Sequence, residues 1–153
     1  CYALKGRYMF KNTKSAHQLR QESLSHPQWV EAMAVQIKRQ KWFRWHDAGD
    51  LQSVQHLKNI ISVCKLTPGT QHWLPTREAQ ILKEFTPDMI PTNLIIRLSS
   101  HMINQGPVKQ WPHTSTVTDG EGRTCPAPDQ GGICGSCRSC WDRDTKNVCY
   151  GKH

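Results

Sequence analysis

Apolar residues first recur at helical spacing at Trp29, Val30, Met33 and Ile37. That period predicts a helix over 27–40. Ser25 is placed to cap it, Pro27 suits its first turn, and Lys38 and Arg39 fall where the helix dipole favours cations. Ahead of it, Gly6 and the basic stretch that follows read as loop. The period then changes. Trp42 to His46 (WFRWH) is rich in aromatic residues and reads as a strand, closed by the turn residues DAGD. Ser53 is a good cap for a second helix, with Val54, Leu57, Ile61 and Cys64 on one face. Thr67-Pro68-Gly69 stops that helix. Residues 70–76 (TQHWLPT) read as a short strand. Glu78 to Phe85 reads as a short helix with Ile81, Leu82 and Phe85 inward, broken by Pro87 and Pro91. Asn93 to Leu98 (NLIIRL) is apolar on consecutive positions, the mark of a strand buried on both faces. Beyond it the period fades, and residues 104–124, rich in Gly, Pro, Thr and Ser, read as loop.

Helices alternating with strands imply an α/β fold. The sheet is parallel, either an open sheet or a partial (β/α) barrel. Residues 1–103 form this βα-type core, with its N-terminal part expected to be missing. Residues 104–153 form a loop and a C-terminal cysteine-rich metal-binding lobe. The chain of 153 residues begins at Cys1 with no Met, which reads as a piece of something longer or a processed product.

The lobe carries the sharpest chemical signal. Cys125, Cys134, Cys137 and Cys140 lie in TCPAPDQGGICGSCRSCWD, with Cys149 close behind. Two CxxC steps share Cys137, and thiolates so spaced can wrap one soft metal centre. The run CxxCxxC fits an iron–sulfur cluster, 4Fe-4S by type, better than a zinc ribbon, which brings separated CxxC pairs. A set of disulfides is the alternative. Seven cysteines with no secretion signal favour metal ligands in a reducing compartment. Cys149 could replace one of the four. Cys64, on an apolar helix face, reads as core. Trp141 would shield one side of a cluster, or serve as an ordinary buried aromatic.

Charge adds a partner class. The net charge is +8, and nine of the twenty Lys/Arg fall in the first fifty residues, against four of the twelve acids. Such a surface suits nucleic acid or a nucleotide, or simply solubility. No apolar run is long enough to span a membrane.

Polar residues also gather where the predicted strands end. His46, Asp47 and Asp50 lie in HDAGD, Thr76, Arg77 and Glu78 in PTRE, and Arg97, Ser99, Ser100 and His101 after the third strand. In a parallel sheet these ends share one edge, where α/β proteins build their sites. His46, Asp47, Asp50, Arg77 and Arg97 are therefore candidate cofactor-binding residues. The carboxylates and histidine can bind a metal, hold a ribose or amino group, or move a proton, and the arginines can pair a carboxylate or phosphate. For HDAGD the bland alternative is a tight turn. Trp45 and Trp73 read as core aromatics rather than base-stacking platforms.

The succession CYALKGRY, FRWHDAGDLQS, HWLPTRE, NLIIRLSS and CPAPDQ…CGSCRSCWD…VCYGKH resembles the phage and prophage gene-product-eighty-eight proteins, over nearly the whole chain. That family resembles radical S-adenosylmethionine enzymes in carrying cysteines just upstream of the CYA segment. The resemblance implies a partial (β/α) barrel, one or two iron–sulfur clusters and S-adenosylmethionine as a cofactor. It makes Cys1 similar to the last cysteine of the first cluster's loop, whose other cysteines this sequence lacks. Asp50 would stand where those enzymes bind the methionine amino group. Cys125, Cys134, Cys137 and Cys140 would hold an auxiliary cluster. The function so implied is that of an iron–sulfur protein in the cytoplasm of a bacterial host, acting on nucleic acid or nucleotide. The runner-up is a non-enzymatic nucleic-acid-binding protein stapled by zinc or a cluster.

Overall fold

The computed structural model describes residues 6–46 and 49–152. Five parallel strands form one sheet in chain order: β1 (Trp42–Arg44), β2 (Gln71–Thr76), β3 (Leu94–Ser99), β4 (Thr114–Thr118) and β5 (Asn147–Gly151). The sheet is open and curled, a half-barrel. Helices α1 (Lys11–Ser23), α2 (Trp29–Ile37), α3 (Val54–Leu66) and α4 (Ala79–Leu82) complete the elements used below.

Strand alternation sorts the two faces of the sheet. Leu74, Leu94, Ile96 and Leu98 lie on the face covered by Leu57, Ile60, Val63 and Cys64 of α3 and by Ala34 and Ile37 of α2. Leu57, Ile60 and Val63 are fully buried, and each contributes roughly 1.5–3 kcal/mol of hydrophobic stabilisation. Ser53 accepts the His56 N–H at 3.0 Å and starts α3 as expected. At its far end, the Asn93 side-chain amide donates to the carbonyls of Cys64, Thr67 and Thr70, tying the helix stop to the entry of β3. Cys64, Trp45 and Trp73 are core residues.

The opposite face carries Trp73, Val148 and Tyr150, and against them pack Cys125, Cys140 and Trp141. These three belong to the connection from β4 to β5. It crosses on the face opposite α2 and α3.

Several boundaries differ from those expected. α1 occupies a stretch read as loop, and none of its residues is buried. A solvated helix built from Lys, Gln, Arg and Ala has good helical propensity but no apolar period. Ser25 caps nothing and instead donates to the Glu22 carbonyl at 3.0 Å, while α2 starts at Trp29 behind Gln28. Residues 114–118 form β4, not loop. Its polar TSTVT sequence is buried because its hydroxyls find partners: Thr114 donates to Asn147 at 2.8 Å, and Ser115 bonds Ser99 at 2.8 Å. Residues 104–153 therefore supply two strands of the sheet as well as the cysteine segment. No described helix is long and apolar enough to cross a membrane.

Candidate functional site

The cysteine segment is pinned at both ends. At its start, the backbone N–H groups of Thr124 and Cys125 donate to the Cys149 carbonyl at 2.9 and 3.0 Å. At its end, Cys140 sits in a short 3-10 turn, Ser139–Trp141, held by Arg97. The Arg97 guanidinium, fully buried, donates to the carbonyls of Ser139 (2.6 Å), Asp142 (2.9 Å) and Cys140 (3.0 Å). It also reaches the Thr114 carbonyl at 3.4 Å. Arg97 thus lies on the inner face of the half-barrel, away from the sheet edge where the sequence pattern put it. The Trp141 indole N–H donates to the Phe43 carbonyl at 3.0 Å, so the same turn reaches β1.

Between these anchors the chain is held mostly by its own turns. The Cys137 N–H donates to the Cys134 carbonyl at 3.0 Å. Gly135 has φ +54°, and a Cβ there would lie 2.6 Å from Gln130 Oε1. Cys140 is buried with its Sγ 3.2 Å from the Tyr150 hydroxyl. Burial pushes its thiol up to about 11, against the opposing Tyr150 hydrogen bond, and the nearby Cys125 and Cys134 add to the rise. Cys137 Sγ lies 3.4 Å from the Ser139 hydroxyl, and hydrogen bonds from the Ser139 side chain and backbone lower its pKa. Cys134 is exposed. Cys149 alternates with Val148 and Tyr150 along β5, so its side chain leaves the sheet on the other face. The six described cysteines are free thiols.

The donor set is soft sulfur, which suits iron–sulfur or zinc. Among the described residues, however, no three His, Cys, Asp or Glu side chains converge closely enough to hold a metal ion. Cys1 lies outside the described residues.

A second site lies at the C-terminal edge of β1 and β2. Asp50 bridges the two strand ends. Its Oδ1 accepts from the Thr76 hydroxyl (2.5 Å) and the Leu51 N–H (2.7 Å), and its Oδ2 from the Arg77 N–H (2.7 Å). Gly49, at φ +89°, makes the turn that returns the chain to that position. His46 also has a left-handed backbone, φ +55°, which costs a non-glycine residue about 1–2 kcal/mol. Both its ring nitrogens are buried, and among the described residues neither has a hydrogen-bond partner of normal geometry. Burial lowers its pKa, aided by the Arg44 charge and opposed by Asp50 and by a weak contact with the Pro75 carbonyl. Asp47 lies outside the described residues. Arg77 is exposed, and its guanidinium donates to the His101 carbonyl at 3.4 Å. An open cleft of about 590 Å³ lies alongside, lined by Asp50, Ser53, Glu78, Gln80 and Glu84 among others.

The edge therefore brings together His46, Asp50, Thr76 and Arg77, and adds one residue that sequence reasoning passed over. His56 sits with its ring 5.4 Å from that of His46, and burial lowers its pKa to about 4. Its signal was spacing: His56 precedes Ile60 and Val63 by four and seven residues, on the buried stripe of α3.

Fold and site together define an α/β half-barrel that carries a cysteine-rich crossover on its inner face and a polar cluster at the carboxyl edge of its strands. The pattern of the Gene product 88 family, a phage gene-product family, matches residues 1–143, and the chain belongs to that family. No curated protein and no solved structure matches it.

Proposed function

We propose that this chain is the iron–sulfur-binding half-barrel of a phage or prophage protein working in the bacterial cytoplasm, with nucleic acid or a nucleotide as its partner. Cys125, Cys134, Cys137 and Cys140 hold the centre. The observation that carries this reading is their gathering in one crossover, pinned by Arg97 and Trp141 onto the inner face of the sheet. When bound, the centre supplies a redox-active or structural soft-metal site.

The likeness to radical S-adenosylmethionine enzymes is supported by the all-parallel strands in chain order. It is supported further by the polar edge. A carboxylate has about four acceptor positions, and Asp50 uses three. One remains for an amino group. His46, beside it with no normal hydrogen bond to its ring among the described residues, can take or give a proton at a ring nitrogen. Arg77, free on one side, can pair a carboxylate or phosphate.

The test is protein purified without oxygen, with absorbance and metal analysis. Iron and sulfide at about four each per chain, and visible absorbance bleached by dithionite, are expected. Cys137→Ser and Cys140→Ser should each lose most of the iron. A single zinc would keep the thiolate site and remove the redox role, leaving a zinc-stapled nucleic-acid-binding protein. A metal-free protein would sink both forms.

A further inference from the structure

The rim of the half-barrel beside β1 carries an array that the metal reading does not use. Trp42 and Arg44 point to the inner face, as their alternation with Phe43 and Trp45 requires. The Arg44 guanidinium lies over the Trp73 ring, 4.9 Å from its centroid. Lys41 and Arg138 both lie over Trp42, at 5.8 and 5.5 Å. Trp141 meets Trp42 and Trp73 edge-on at 5.8 and 5.2 Å. Three cations thus sit on two indoles, joined by a third. Lys41 and Arg44 are exposed and Arg138 is half-buried. Arg138 is further fixed because its guanidinium donates to the Gly135 and Cys137 carbonyls at 2.8 and 2.6 Å.

We propose that this rim binds single-stranded nucleic acid, with bases stacking on the guanidinium planes of Arg44 and Arg138 and phosphates meeting Lys41 and the outer edges of both arginines. It rests on the nucleic-acid part of the reading above and not on the metal. Charge complementarity selects the partner. Among the described residues, none of the three cations has a carboxylate within ion-pairing distance, the one ion pair being Arg123 with Asp129. A guanidinium lying on an indole keeps its other plane free, is already ordered, and is weakly hydrated, so a base can cover it at little entropic cost. Lysine lacks that plane. A duplex hides its base faces and offers only phosphates, so the array favours the single strand.

The experiment is fluorescence anisotropy of a labelled twenty-nucleotide oligothymidine with the full chain, at several salt concentrations, beside the duplex of the same length. Metal content is recorded on the same sample. The expected result is tighter binding of the single strand, with a slope of log K against log salt of about −2 for three contacts. Arg44→Ala and Arg138→Ala should each weaken binding roughly tenfold, while Lys58→Ala and Lys83→Ala, exposed in α3 and just past the end of α4, should not. Arg44→Lys should keep the salt slope and still lose affinity, since it keeps the charge and loses the plane. Circular dichroism confirms that each variant is folded. Equal binding of duplex and single strand, equal competition by polyglutamate, or unchanged affinity in folded Arg44→Ala would each overturn the proposal. Single-strand binding by a metal-free sample would support it while removing the iron–sulfur reading. A metal-loaded sample that binds no oligonucleotide at low salt would overturn it together with the nucleic-acid part of that reading, and leave the metal centre standing.

Discussion

Replacing Arg97 by methionine keeps the length of the stem and removes the fork that fastens the cysteine crossover. The wild-type guanidinium makes three short bonds to carbonyls of Ser139, Cys140 and Asp142, and one long bond to Thr114. Hydrogen bonds to a charged donor contribute roughly 1.5–3 kcal/mol each, so the three short ones amount to about 4.5–9 kcal/mol gross. Against this stands the cost of burying the cation, visible in its lowered pKa. Removing the cation leaves its buried carbonyl partners without a donor at roughly 1–3 kcal/mol each, and relief of the buried charge offsets part of that, for a net cost of about 3–5 kcal/mol. With a urea m-value of about 2 kcal/mol/M, the midpoint should fall by roughly 1.5–2.5 M. The loss should begin in the crossover. Cys140, buried against Tyr150 in the wild type, should become reactive to a thiol reagent, mapped by mass spectrometry, before the helices melt by circular dichroism. Arg97→Lys should recover only part of the loss, because an ammonium cannot span three carbonyls from one position. A methionine variant with an unshifted midpoint and an unreactive Cys140 would refute the reasoning.

Three further outcomes follow from the edge and the core. Asp50→Asn should cost about 1–2 kcal/mol in thermal or urea melts, because an amide nitrogen turned towards the Arg77 N–H cannot accept from it; an unchanged melt would mean that the bridge contributes nothing. Burial lowers His56 and His72 to about 4. The unfolded chain therefore takes up protons first, and stability should be full above about pH 6.5 and fall below it, by at most about 1.4 kcal/mol per pH unit for each histidine. Urea midpoints at pH 7.5, 6 and 5 test this, and a flat profile would contradict it. Ser53→Ala should cost about 1 kcal/mol by removing the cap of α3, read as a drop of about 2–4 °C in Tm.

What could be read from the sequence is what apolar period reports. α3, β2 and β3 were legible because Leu57, Ile61, Cys64, Ile95 and Ile96 carry a strong signal of burial. α1 was not, because a helix that buries nothing leaves no apolar trace. β4 was not, because Thr114, Ser115 and Thr116 are buried through paired hydroxyls, and a polar strand of that kind is indistinguishable in sequence from a loop. The sheet edge was legible as a place. HDAGD and PTRE were expected to meet there, and Asp50 joins them. The partners of Arg97 were not legible, since all four are backbone carbonyls from distant segments, and a carbonyl has no sequence signature.

The two faces of the sheet are fastened by different forces, and that bears on where a metal would act. The helical face is held by apolar burial. The crossover has few apolar side chains to offer, and arginines do the equivalent work: Arg97 grips residues 139–142, and Arg143 donates to the carbonyls of Pro91, Thr92 and Leu94. Cys125 and Cys140 sit at the gripped ends. Cys134 and Cys137 sit between, in a loop whose ties are local turns and the bonds from Arg138. On the proposed reading, the fixed pair sets the position of the centre and the loop closes over it, so that metal binding supplies the cross-link which apolar contact does not. Arg138 lies between Cys137 and Cys140, over Trp42. Closing the loop on a metal would therefore also fix one of the two stacking planes at the rim, and loss of the metal should weaken single-strand binding through Arg138 while leaving the Arg44 contribution intact.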